Sequence, residues 1–190
     1  LKAAIFKNKE LSEMRVLEND HLETIQALLY EIKPNKTILS SVIHHDKAIE
    51  TLLAAHSKFH LLGPASFINF TTPVGKPETI GADRLALVAA AVDLYPNQHN
   101  LIISLGTCIT YNFVNITHEF LGGSISPGMQ MRFRAMHEQT ALLPLIEASN
   151  EFPLVGYDTK TNLLSGVILG MAAEIDGIIA AYADKYGNFN

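Results

Sequence analysis

The feature that most constrains the fold is an alternation between two periodicities. Short runs rich in β-branched or alternating apolar residues are followed by stretches in which apolar side chains recur at helical spacing. Residues 3–7 form such a run, Asn8-Lys9 reads as a turn, and "ELSEMRVL" reads as a second strand. Leu22, Ile25, Leu28, Leu29 and Ile32 then mark one face of a helix that Pro34 and Asn35 end. "TILSSVI" reads as a buried strand, residues 48–55 as a helix and "FHLLG" as another strand. Strands alternating with helices predict an α/β domain with a partly parallel sheet.

Residues 64–77 are rich in Pro, Gly and Thr and form the best candidate for a domain boundary. Two domains are therefore expected, residues 1–75 and 76–190. The second starts with a helix from Asp83 to near Pro96. "NLIISLGTCITYNFV" reads as two strands around a Gly106-Thr107 turn, the second alternating Ile109, Tyr111 and Phe113 against Thr110 and Asn112. "EFLGGSISPGM" reads as a strand running into a Gly/Pro loop, and residues 129–139 as a short helix. Residues 159–186 read as a long helix in which Gly166, Gly170 and Gly177 allow close packing.

Composition narrows the class. Of 190 residues, 48% are hydrophobic and 17% charged, enough to bury a core and unlike a disordered chain. Nineteen acids against fourteen bases give a net charge of −5 with no Lys/Arg cluster, which argues against a nucleic-acid partner. The single Cys108 rules out an intrachain disulfide and a multi-cysteine metal site, and fits a reducing, cytoplasmic setting. The apolar run 163–173 is broken by Ser165 and two glycines and falls short of the roughly 20 residues a membrane span needs. No membrane partner is expected, and no signal peptide is visible. The first residues lack an initiator Met and begin inside a strand, and the last stop just after a helix. Both native termini are expected to lie outside this stretch.

Three stretches can carry chemistry, and each has a purely structural alternative. Asp83 suits a helix cap, because a carboxylate accepts backbone N–H bonds there and complements the helix dipole. The same position, beside Arg84, suits a carboxylate that takes a proton from a substrate hydroxyl while Arg84 binds an anion. Gly106-Thr107 reads as a hairpin turn with glycine supplying a positive φ, or as a phosphate cradle of N–H groups and a hydroxyl. In "LGGSISPGM", the glycines serve a tight irregular loop, or let backbone approach a ligand closely. His44-His45-Asp46 lacks a completed ligand set and reads as a polar strand end.

Taken in order, "GADR", "LGTCIT", "FLGGSISPGM" and "DTKTNLLSG" closely resemble the type III pantothenate kinases, over the two thirds of the chain from the Pro77 region onward. The resemblance implies the acetate/sugar kinase and actin-like (ribonuclease H-like) α/β fold: two related domains with the active site in the cleft between them. It implies phosphorylation of pantothenate by ATP, the first step of coenzyme A synthesis, with Mg²⁺ and commonly in a homodimer. Carried over to this sequence, it makes Asp83 the general base and places Gly81, Ala82, Asp83 and Arg84 in the pantothenate site. Gly106 and Thr107 fall where ATP is contacted, and Thr159 where pantothenate is reached in the partner subunit's site.

Four departures accompany the resemblance. The family's opening Asp-x-Gly-Asn-Thr phosphate loop and a later Gly-Gly adenosine contact do not occur in this stretch. The acidic residue that holds a monovalent cation (K⁺ or NH₄⁺) two positions before the Gly-Thr is here Ser104, so little potassium dependence is expected. A pantothenate-contacting Tyr is replaced by Val74. Two other readings stay open: a non-catalytic binding or regulatory relative of the same fold, and a kinase for another small hydroxy acid.

Overall fold

The computed structural model describes residues 1–73 and 75–190; the expectation attached to Val74 lies outside the described residues. The fold is mixed α/β, and the chain divides into two compact units: residues 1–66 with 81–83, and residues 67–80 with 84–190.

In the first unit, β1 (Lys2–Lys7) and β2 (Glu10–Val16) pair antiparallel. The turn between them puts Asn8 and Lys9 at φ 51° and 73°, the left-handed pair that tight hairpins require. Helix α1 (Leu22–Ile32) buries Ile25 and Leu29, and α2 (Lys47–His56) buries Ile49 and Leu53. These four residues form the unit's core. β3 (Lys36–Leu39) and β4 (Lys58–Leu61) pair in parallel, joined by a crossover through α2 as parallel strands demand. β3 is shorter than "TILSSVI" suggests. After Leu39 the backbone leaves the sheet, and the Ser41 hydroxyl donates to the Ile43 carbonyl at 3.0 Å. The His44-His45-Asp46 stretch has local roles. Asp46 caps α2, accepting from the Ala48 N–H at 2.9 Å, and His45 Nε2 lies 3.0 Å from Glu50 Oε1.

The second unit is built on an antiparallel sheet in the order β5 (Asn100–Leu105), β6 (Cys108–Val114), β7 (Phe120–Pro127). Three helices accompany it: α3 (Ala82–Leu94, counted here from Arg84), α4 (Met129–Glu138) and α5 (Thr159–Tyr186). The alternation read in β6 does not separate a buried from a wet face, because both faces are covered. Ile109 and Tyr111 pack with Phe133 of α4 and with Leu163, Leu164 and Val167 of α5. On the opposite face Val114 joins Leu85, Val88 and Val92 of α3, and Asn112 is 0% exposed.

Two further expectations change. "GGSISP" is strand, not loop, since β7 runs through to Pro127. Gly123, at φ +156°, lies so close to β6 that a Cβ on it would sit 1.8 Å from the Tyr111 carbonyl oxygen. The close approach these glycines permit is therefore to a neighbouring strand. On α5, Gly166, Gly170 and Gly177 have nothing within 4 Å of a built Cβ, so among the described residues they mediate no close packing. By length and composition α5 is also apolar enough to cross a membrane, contrary to the reading of its central run, and only 22% of its most apolar stretch is buried.

Candidate active site

Asp83 is the second residue of α3, inside the first turn rather than at the cap. Backbone N–H groups of that turn lack intrahelical partners and favour a negative side chain. The carboxylate is exposed, and among the described residues no group donates a hydrogen bond to it. Gly81 leaves it room: a Cβ there would lie 2.6 Å from Asp83 Oδ1, and the carboxylate would have to swing aside.

Arg84, the next residue of α3, is half-buried. Its Nε donates to Asn112 Oδ1 at 2.5 Å, and its guanidinium stands 5.5 Å from the centre of the Phe120 ring. Asn112 in turn donates to the Ile102 carbonyl at 3.3 Å and to Thr110 Oγ1 at 3.2 Å, so this fully buried amide is satisfied on both sides. Its oxygen accepts from Arg84, which leaves it less available to a cation beside Ser104. Ser104 sits half-buried on β5 opposite Thr110.

The Gly106-Thr107 turn joins β5 and β6, and both residues are exposed. Gly106 does not adopt a positive φ, so the hairpin does not need glycine for that reason. Its N–H donates to the Cys108 carbonyl at 3.0 Å and is unavailable to a ligand. Among the described residues, the N–H and hydroxyl of Thr107 have no partner; these are the turn's free donors. Cys108 is half-buried behind it.

Thr159 opens α5 and is exposed. Asp158 caps the helix, accepting from the Thr161 N–H and hydroxyl at 2.7 Å each. Those two bonds hold the Asp158 carboxyl below the usual carboxylate range. Because Thr161 completes the capping box, the Thr159 hydroxyl is left without a partner among the described residues.

Sequence reading missed a set of residues behind the Gly-Thr turn. Tyr111, on the buried face of β6, donates its hydroxyl to Glu174 Oε1 at 3.0 Å. Arg132 of α4 pairs with the other Glu174 oxygen. Burial, then the bond to Glu174, pushes the Tyr111 hydroxyl up to about 12. One signal was present: Glu174 is the first acidic residue of α5, in an otherwise apolar stretch.

Phosphoryl transfer asks for positioning and charge stabilisation more than for covalent chemistry. An unfastened carboxylate and exposed, unbonded donors suit that class of work, phosphotransfer to a hydroxyl. Comparison with known proteins gives the particular family. The sequence profile described as type III pantothenate kinase matches residues 1–181. A protein of Christiangramia forsetii named type III pantothenate kinase is 39% identical, over 98% of this chain and 77% of its own length. Proteins of the same name from Bacteroides fragilis and Cytophaga hutchinsonii are 37% and 36% identical, over 97% and 100% of this chain and 76% and 79% of theirs. The chain belongs to the type III pantothenate kinase family, as its ordered motifs implied.

Proposed function

We propose that Asp83 is the general base of the family's reaction, the ATP-dependent phosphorylation of pantothenate in coenzyme A biosynthesis. The observation that carries this reading is the exposed carboxylate in the first turn of α3, free of hydrogen bonds from the described residues. The carboxylate accepts the proton of the pantothenate hydroxyl as its oxygen bonds to the γ-phosphorus. The bond from that phosphorus to the bridging oxygen breaks, and ADP leaves with the electron pair.

Gly81 and Ala82 bring backbone to the pantothenate site beside Asp83. Arg84 belongs to the same site and also anchors α3 to β6 through Asn112. Thr107 contacts ATP, supported by its free N–H and hydroxyl, with Gly106 shaping the turn. Thr159 reaches pantothenate in the partner's site of a homodimer. The open glycine face of α5, with Leu169 36% exposed beside it, supports a second copy as its cover. The other side of α5 is docked on protein, with Leu164 1% exposed and the Ser165 hydroxyl donating to the Leu154 carbonyl at 2.7 Å. This supports a helix docked on its own fold rather than a span, and the enzyme is read as cytoplasmic. The chain is read as two related actin-like domains, 1–75 and 76–190, beside compact units that first divide after residue 66.

Mg²⁺ supplies charge neutralisation at the β- and γ-phosphates. No trio of His, Cys, Asp or Glu able to hold a metal occurs among the described residues. A Mg²⁺ arriving with ATP would be held chiefly by substrate phosphates and water. The monovalent-cation position fits poorly, because Ser104 is uncharged and the Asn112 oxygen is already bonded.

A coupled ADP-release assay with pantothenate and Mg-ATP tests the assignment. Asp83→Asn should lower kcat by about 10²–10⁴-fold with an unchanged melting temperature. Wild-type turnover retained in the Asn variant removes Asp83 from the base role.

A further inference from the structure

Thr107 stands on a two-residue turn next to the paired residues Leu105 and Ile109 of β5 and β6. Within it the Gly106 N–H donates to the Cys108 carbonyl, and a further support reaches it from outside the hairpin. That support is the backbone of Gly128, whose N–H donates to the Thr107 carbonyl at 3.0 Å. The fit is close enough that a Cβ on Gly128 would lie 2.2 Å from the Gly106 carbonyl oxygen and 2.6 Å from that of Thr107.

Gly128 follows Pro127, and Pro127 is where a side-chain network takes hold. Arg132 Nε donates to the Pro127 carbonyl at 2.8 Å, and its Nη2 donates to Ser126 Oγ at 3.0 Å and to Glu174. Glu174 is fixed in turn by the hydroxyl of Tyr111, a fully buried side chain of β6. Arg132 and Glu174 retain only 21% and 25% of their side-chain exposure. One guanidinium thus ties the last two residues of β7, α4 and α5 together. Its rigid planar fork meets three acceptors from two separate nitrogens, Nε and Nη2, a geometry that a lysine's single ammonium does not reproduce.

We propose that Arg132, braced by Glu174, is a positioning residue for ATP: it fixes the Pro127 carbonyl and so seats Gly128 beneath the Gly106-Thr107 turn. The proposal rests on the reading that Thr107 contacts ATP. Neither Arg132 nor Glu174 touches substrate; they act through the turn.

Steady-state kinetics of the intact kinase, with ATP and pantothenate varied separately, test it. Arg132→Ala and Arg132→Lys should each raise KM for Mg-ATP by about tenfold, as a displaced binding group does, with KM for pantothenate unchanged. Gly128→Ala should act in the same direction. Glu174→Gln, which keeps size and shape, should show a smaller rise of the same kind and stands in if the Arg132 variants fail to fold. A structural role alone would lower the melting temperature and the active fraction without separating the two KM values. Thr107→Val distinguishes the two layers. If it leaves KM for ATP unchanged, the reading of Thr107 fails and the proposal falls with it. If it raises KM for ATP while the Arg132, Glu174 and Gly128 variants do not, the positioning proposal alone is overturned.

Discussion

Helices α3 and α5 are equally apolar on average and each carries, in its first turn, a residue proposed for the reaction, yet the fold treats them differently. α3 is closed in: Leu85, Val88 and Val92 are buried against Phe70, Val114 and Phe120, and even its Arg84 is turned onto the sheet. α5 is docked along one side only, through Leu163, Leu164, Val167 and Met171, while Leu169, Gly170 and Ile179 face outward. The lesson is that an apolar helix is not thereby a core helix. A chain can supply cover for one side of a helix and leave the other for a second copy, which for α5 is the homodimer proposed above.

The largest effect should come from placing a charge on each helix. Val88 is 0% exposed, so Val88→Asp would bury an unpaired carboxyl. A pKa rise of 3–5 units for such a group corresponds to about 4–7 kcal/mol, enough to unfold many domains. Leu169→Asp should change unfolding free energy by only about 0.5 kcal/mol and convert a dimer to a monomer in sedimentation. Equal destabilisation by the two variants, or a wild-type monomer at micromolar concentration, would break the contrast.

A smaller effect should appear on the docked side of α5 as pH is lowered. The bond from Arg132, opposed by burial and helped by bonds from Ser126 and Tyr111, holds the Glu174 carboxyl below the usual carboxylate range. Its folded value is depressed. The linked stability is therefore present above the unfolded value of about 4.3 and is lost as pH falls through the folded value. The melting-temperature advantage of wild type over Glu174→Gln should be level above about pH 5 and shrink below about pH 4. An advantage that grows in acid would contradict the pairing.

The smallest effect concerns the inward turn of α3. Arg84 occupies the Asn112 oxygen, and Ser104 brings no charge, so replacing sodium by potassium at fixed Mg-ATP should leave the rate nearly unchanged. Steep, selective activation by potassium would show that other oxygens build a cation site. It would also show that α3 leaves more of the β6 face open than its packing implies.

Several parts of this architecture were legible before any coordinates. The Asn8-Lys9 turn, the apolar face of α1 and the full span of α5 are local patterns, and local patterns are what periodicity and turn chemistry report. β6 misled because alternation assumes one wet face, and here α3 covers the Thr110–Asn112 side. β7 misled because glycine pairs ordinarily mark loops. Here Gly123 answers to a carbonyl on the neighbouring strand, a demand invisible in its own stretch. The Arg132–Glu174 pair could not be read at all, since its members lie forty-two positions apart.

By itself the sequence determined the family and the mixed α/β character, and it is the source of the proposed site residues. These rest on residue identity and order along the chain. Only the tertiary structure decided that Arg84 is bonded to Asn112, that Gly106 spends its N–H on Cys108 while Thr107 keeps its own, and that the glycines of α5 face outward. Each of these depends on which distant groups compete for the same donor, acceptor or surface. That competition is settled by packing in three dimensions.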